Sequence, residues 1–104
     1  MIRSNALRNS ARDQDCSLNI VGICNYDPQT TILAHLPNES GGKGFKSTDL
    51  CAVYACSSCH DAIDGRAAFP PAESDYRHQY YLRAVIRTQE IMAAKGLLLI
   101  KGAK

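Results

Sequence analysis

The chain has no tryptophan and nowhere a run of eighteen apolar residues, so no segment is long and apolar enough to span a bilayer. Its first residues are polar and rich in arginine, with no apolar stretch behind them. No secretory signal can be read there, which makes the cytoplasm the expected compartment. Disulfides are scarce in such a compartment, and five cysteines are an odd number that pairing leaves unmatched, so metal is the better account of them. Also missing is a phosphate-loop consensus, although Gly41, Gly42 and Gly44 stand close to Lys43 and Lys46. The hydrophobic share of 45% is ordinary for a soluble domain. At 104 residues the chain is one domain, 1–104, near the size at which a core holds itself together but a metal staple still contributes.

What is present is concentrated in Cys56-Ser57-Ser58-Cys59-His60-Asp61-Ala62-Ile63-Asp64-Gly65-Arg66. A Cys-x-x-Cys pair offers two thiolates from one tight turn, filling two tetrahedral corners of zinc at little cost in loop entropy. His60 is expected to open a short helix that Gly65 ends, which places His60 and Asp64 as neighbours on one face. That spacing has the geometry of a second metal site beside the first. Charge is uneven along the chain. Residues 1–12 carry +3 through Arg3, Arg8 and Arg12, residues 13–75 carry −6 from three bases and nine acids, and residues 76–104 carry +5 from six bases and Glu90. An acidic middle between basic ends suits a site that gathers cations and a rim that holds a polyanion, although short chains show such swings by chance as well.

In chain order, residues 1–15 read as a basic arm, irregular or partly helical, whose arginines are either mobile phosphate contacts or a solubilising tail. Cys16 to Cys24 reads as a short extended segment bent back at Gly22, so that its two cysteines converge. Thr30 to Leu36 is β-branched and apolar, a strand ended by Pro37. Pro37 to Thr48 is the glycine-rich loop in which Lys43 and Lys46 are candidate nucleic-acid contacts. Asp49 to Ala55 is a second strand, and the two form a hairpin leading directly into the Cys56 helix. Ala67 to Ser74 is a connector, and 75–104 is a long helix with an apolar tail, in which Tyr81, Ala84, Val85 and Thr88 recur at helical steps and Gly96 is the stop. Arg83 and Arg87, four apart on the polar face, repel unless something anionic lies across them; Glu90 beside Arg87 is the plain partner and DNA phosphate the sharper one.

The order of a strand ending in Ala34-His35-Leu36, a glycine-rich loop, Asp49-Leu50, then Tyr54-Ala55-Cys56-x-x-Cys59-His60-Asp61-x-Ile63-Asp64-Gly65-Arg66 resembles the phage and prophage protein family typified by YbcO. That family is similar in turn to the HNH, or ββα-metal, endonucleases and to recombination-associated phage nucleases. The resemblance runs from Cys16 to the long C-terminal helix. It implies an α+β fold, a zinc-stapled treble clef under a ββα unit with a long C-terminal helix. It also implies a nuclease acting on DNA in the cytoplasm of a bacterial host, with a recombination protein as a conceivable partner and no membrane.

Zinc fits both the residues and the resemblance. Cys56 and Cys59 form one pair, Cys16 and Cys24 are the remaining cysteines able to converge, and Cys51, an odd step from Cys56 along a strand, is the spare. In the family's terms His35 matches the general base, with Asp49 near the place of the residue that orients it. His60 matches the metal-binding histidine, and Asp64 is a hard oxygen ligand for Mg²⁺ or Mn²⁺. Asp61 points about 100° away on the helix. The chain departs from many HNH enzymes in having Ala34, which cannot ligate, just before the base. His78 is a candidate third ligand or an ordinary surface histidine, and Arg66, Arg83 and Arg87 complete the candidate DNA contacts. The alternative function is a zinc-stabilised DNA-binding module without catalysis. Thiol redox through Cys56 and Cys59 lacks the βαβ context such motifs stand in.

Overall fold

The computed structural model describes residues 1–37 and 48–103. The glycine-rich loop with Lys43 and Lys46 lies outside the described residues. The chain forms a small α+β domain: helix α1 (Asn5–Asn9), a 3-10 turn at Pro28–Thr30, strands β1 (Ile32–His35) and β2 (Ala52–Ala55), then helices α2 (Ser57–Ile63), α3 (Pro71–Ser74) and α4 (Arg77–Ala94). No helix among the described residues is long and apolar enough to cross a membrane.

β1 and β2 are antiparallel, with Ile32 opposite Ala55, Leu33 opposite Tyr54, Ala34 opposite Val53 and His35 opposite Ala52. Both strands are shorter than the β-branched pattern predicts, for local reasons. Asp27 caps a turn begun by Pro28, whose fixed φ favours that position, and Thr30 Oγ1 donates back to Asp27 O, so the chain straightens only at Ile32. At the other end Leu50 N donates to Thr48 Oγ1, holding residues 49 and 50 in a turn.

Side-chain alternation sends the hairpin into two cores. Ala34, Leu36, Val53 and Ala55 pack with Leu18 and Ile20, with Cys59, Ala62 and Ile63 of α2, and with Tyr80, Tyr81 and Ala84 of α4. Leu33, Ala52 and Tyr54, on the opposite face, pack with Leu7, Ala11 and Met92. α4 therefore serves both cores by running along the free edge of β2. That edge is closed at Tyr54: its N–H donates to Thr88 Oγ1 (3.1 Å), and its carbonyl accepts from Ser17 N (2.7 Å). Thr88 Oγ1 passes the interaction on to Ser17 Oγ at 3.2 Å.

The helix ends follow the sequence more closely than the starts. Gly65 (φ 82°) and Gly96 (φ 76°) each adopt the left-handed conformation that lets the N–H of the following residue turn back on the helix. Arg66 N reaches Asp61 O and Leu97 N reaches Met92 O, both at 2.9 Å. α2 begins at Ser57, three residues before the expected start at His60, because the Cys56 side chain caps it by accepting from Cys59 N at 3.4 Å. The connector holds the short α3, and α4 begins at Arg77 rather than Asp75. Leu97 and Leu98 cover the second core, while Leu99 and Ile100 remain exposed and form no strand.

Thr88 is fully buried and its hydroxyl serves two partners, so Thr88→Val keeps the shape but strands the Tyr54 N–H and the Ser17 hydroxyl. Urea denaturation of this variant is expected to show a loss of about 1–3 kcal/mol. A loss below about 0.5 kcal/mol, the range of ordinary surface changes, would mean that this hydroxyl does not secure the edge.

Candidate active site and metal centre

The segment from Cys16 to Cys24 is a folded knuckle rather than the extended segment the sequence predicts. Asn19 (φ 47°) and Gly22 (φ 80°) both take left-handed conformations, and Ile23 N and Cys24 N both donate to Ile20 O. This double bend curls Cys16 and Cys24 to the same side. Asn19 lies at the centre of the knuckle, donating its backbone N–H to Cys16 Sγ and its side-chain amide to Cys24 Sγ, each at 3.5 Å.

The ligand atoms of Cys16, Cys24, Cys56 and Cys59 all lie within 4.8 Å of one another. Four sulfurs about 2.3 Å from a tetrahedral zinc stand about 3.8 Å apart, and the separation of Cys24 Sγ from Cys56 Sγ is 3.8 Å. The chemistry of the set agrees. A hydrogen bond from Cys59 pulls the Cys16 thiol down to about 5, and that same bond, with burial, pushes the Cys59 thiol up. Thiols gathered this closely oppose one another's ionisation, and a divalent cation removes that conflict. The four residues fit a structural zinc, and Cys51 stands apart from them.

α4 clamps the knuckle from outside. Arg83 donates to Leu18 O at 2.7 Å with its guanidinium 5.2 Å from the Tyr80 ring centroid, and Arg87 reaches Ser17 O and Asn19 Oδ1, both at 3.4 Å. Tyr80 Oη accepts from Val21 N and donates to Glu73 Oε2. Arg83 and Arg87 thus find their negative partners in the backbone carbonyls of their own chain, and the expected Glu90 partner is not used.

A second polar centre lies at the far end of the hairpin. His35 Nε2 stands 2.8 Å from Asp49 Oδ1. The Asp49 side chain is fully buried, whereas His35 keeps about a third of its own exposed (32%). Asp49 Oδ2 accepts from Ser4 N at 2.6 Å, and Arg8 approaches Oδ1 at 3.5 Å. Burial alone would raise this carboxyl; the Ser4 N–H, then His35 and Arg8, outweigh it, and the net shift is downward. The basic arm is therefore built in. Ser4 caps α1, Leu7 is buried in the second core, and Arg8 is bound to Asp49 rather than free.

The third centre is on α2. His60 Nε2 and Asp64 Oδ2 are 3.0 Å apart, one helical turn along the same face. Two donors about 2.1 Å from an octahedral cation at right angles also stand about 3.0 Å apart, so the pair fits two cis positions around Mg²⁺ or Mn²⁺. Arg66 closes over it, bonding Asp61 Oδ1 and Asp64 Oδ2 at 2.9 Å each. His78 is exposed on the first turn of α4 with its ring edge-on to Tyr81 (5.9 Å). Burial raises the Tyr81 hydroxyl, with smaller opposing effects from Arg77, which lowers it, and Asp64, which raises it. His35 faces the α1 side of the hairpin and Ala34 the α2 side. Among the described residues no hydrogen bond joins the His35 pair to the His60 pair.

A family model described as "Putative nuclease YbcO" matches residues 5–97. The chain belongs to the YbcO family. The relative of that name from Escherichia coli K12 is 40% identical over 94 residues, covering 88% of this chain and 95% of the relative. "Putative nuclease ybcO" of Enterobacteria phage 82 matches to the same extent. A solved structure, described as that of a putative bacteriophage protein from Escherichia coli K-12 MG1655, superposes with a TM-score of 0.72 at 38% identity, covering 88% of this chain and all (100%) of that one. The YbcO match takes in the four clustered cysteines, both histidine–aspartate pairs and Arg8.

The sequence reading missed Ser4 and Arg8 as partners of Asp49 and Asn19 as the donor to two sulfurs. Asn19 alone left a local signal, a residue tolerant of positive φ inside a cysteine loop.

One zinc per chain is the expected stoichiometry by atomic absorption. Cys51→Ser should retain it, while Cys59→Ser or Cys24→Ser should lose it together with the cooperative melt. Structural zinc contributes on the order of 10 kcal/mol, as much as the whole stability of a domain this size. Half the zinc in Cys51→Ser, or an unchanged melt after chelation, would overturn the assignment.

Proposed function

We propose that the chain is a divalent-metal-dependent endonuclease of the HNH type that hydrolyses DNA phosphodiester bonds in phage DNA processing, on a treble-clef zinc scaffold carrying a ββα unit. The observation that carries the reading is the His35–Asp49 pair: a partly exposed imidazole at a strand end, with one ring nitrogen held 2.8 Å from a fully buried carboxylate. A histidine so held has its other nitrogen, Nδ1, available to take a proton from water near neutral pH. The family's name and the spacing of His60 and Asp64 support the same reading.

In this reading Asp49 orients His35, and His35 Nδ1 removes the proton from the attacking water. His60 and Asp64 hold Mg²⁺ or Mn²⁺, with His78 on the neighbouring helix turn as a further candidate. When bound, that cation supplies charge stabilisation at the scissile phosphate and the departing oxygen. The zinc holds α2 against the hairpin. Arg66 at the mouth of the pair, and Lys43 and Lys46 in the loop, are the cations proposed for DNA phosphates. Arg83 and Arg87, already bonded to the knuckle, contribute mainly by holding it.

A second reading, a zinc-stabilised DNA-binding module without catalysis, has two observations in its favour: His35 faces the α1 side of the hairpin, away from the His60 pair on α2, and Arg66 competes for that pair. Arg66 already neutralises Asp64 and Asp61, so a divalent ion has to displace it.

Nicking of supercoiled plasmid with Mn²⁺ separates the two. His35→Ala should lower the rate by about 100-fold or more, the usual worth of a general base, with zinc content, fold and DNA affinity unchanged. Asp64→Ala should also be slow, but should recover in part as Mn²⁺ is raised, because a lost ligand weakens the ion's affinity rather than removing the chemistry. His35→Ala nicking at the parent's rate defeats the assignment of the base. A parent without nicking, together with Mn²⁺-soaked crystals lacking anomalous density beside His60, establishes the binding module instead.

Arg66→Ala removes the competing cation, so Mn²⁺ should bind the variant more tightly than the parent in a titration followed by electron paramagnetic resonance. Equal affinities would show that Arg66 does not guard the pair.

A further inference from the structure

The Asp49 carboxylate is held from three parts of the chain. Its Oδ2 accepts the Ser4 N–H at 2.6 Å; its Oδ1 takes His35 Nε2 at 2.8 Å and Arg8 Nη2 at 3.5 Å. The same segment is tied in by two further bonds, Asp49 N to Ile2 O (2.8 Å) and Ile2 N to Thr48 Oγ1 (3.2 Å). Leu7 is 3% exposed and Ala11 1%, so the segment is packed as well as bonded. Ile2, Ser4, Leu7 and Arg8 stand more than forty positions before Asp49 and form no part of the hairpin or α2.

Two of the three groups facing Asp49, the Ser4 N–H and the Arg8 guanidinium, can only donate, while His35 Nε2 donates or accepts according to its tautomer. An ionised carboxylate can accept from all of them, since it has acceptors only. A side-chain amide cannot, because it has one oxygen and must turn its NH₂ toward one side. The Ser4 N–H is fixed by the backbone and has no freedom to become an acceptor, whereas the imidazole can move its proton from one ring nitrogen to the other.

We propose that the segment from Ile2 to Arg8 is a positioning element for His35: through the Ser4 N–H and Arg8 it demands an acceptor-only group at Asp49, and so fixes the His35 proton on Nε2 and leaves the Nδ1 lone pair facing outward. Arg8 and Ser4 touch no reacting atom and act through Asp49. The consequence for catalysis rests on the nuclease reading; the tautomer does not, and is read without substrate.

The test is the His35 ring in long-range proton–nitrogen correlation spectra of the zinc-loaded, full-length protein, recorded where the imidazole is neutral. The parent is expected to show the Nε2–H tautomer. In Asp49→Asn, the Ser4 N–H keeps the amide oxygen, the amide NH₂ faces Nε2, and the ring should switch to the Nδ1–H tautomer. The nicking rate should then fall as the lone pair is lost. A ring that keeps Nε2–H in Asp49→Asn overturns the proposal, since the amide would then have turned its oxygen to His35 against Ser4. Should Asp49→Asn fail to fold, Arg8→Gln carries the test. Its Nε2 proton should shift downfield, because loss of the cation sharing Oδ1 makes Asp49 the stronger acceptor, and Arg8→Lys should restore it; an unchanged proton in Arg8→Gln overturns the role of Arg8. A parent with the expected tautomer but no nicking removes the nuclease reading and leaves the positioning element standing.

Discussion

Four sulfurs brought within 4.8 Å of one another set the terms for the rest of this molecule. Two come from the knuckle and two from the first turn of α2, so the cluster joins the chain before β1 to the helix after β2 and closes a loop around the hairpin. Thiols at this distance resist ionising together, which makes the arrangement stable with a cation and costly without one. The surrounding contacts follow from it. Asn19 supplies N–H groups to two sulfurs, and Arg83 and Arg87 on α4 bind the carbonyls of the same bend. α4 is thus held at the cysteine knuckle, and its register there puts Thr88 against the edge of β2.

The second constraint is the burial of one carboxylate. Asp49 is fully desolvated, and such a group is tolerated only when donors surround it. The donors are drawn from β1, from α1 and from the backbone ahead of α1. A stretch that composition marks as a solvated basic arm is in consequence part of the domain. The two centres are mechanically joined by the hairpin: the cysteine cluster lies at one end of β2, and Asp49 fixes the turn that leads into the other.

His60, Asp64 and Arg66 form a third cluster of a different kind, partly exposed and closed by ion pairs that solvent weakens. Exposure makes these pairs poor contributors to stability and easy to exchange.

The sequence determined whatever is local. Cys56 and Cys59 share one turn, His60 and Asp64 one helical step, and Gly65 and Gly96 stop their helices because few other residues take positive φ at no steric cost. Hydrophobic alternation and the β-branched run marked the hairpin, though the caps at Asp27 and Cys56 moved its limits and the start of α2 by a few residues. Cys16 and Cys24 were legible only by elimination, since seven intervening residues state no geometry until Asn19 and Gly22 bend them. The pairing of His35 with Asp49 was visible as a family position; Ser4 and Arg8, over forty residues away, were not visible at all. Arg83 and Arg87 show the limit best: two like charges one turn apart call for something negative, and sequence cannot distinguish a phosphate from a backbone carbonyl. Tertiary structure supplied acceptors on the knuckle as partners within the chain, because the partners of a long, flexible cation are set by which acceptors packing leaves within reach, and packing is a property of the whole chain.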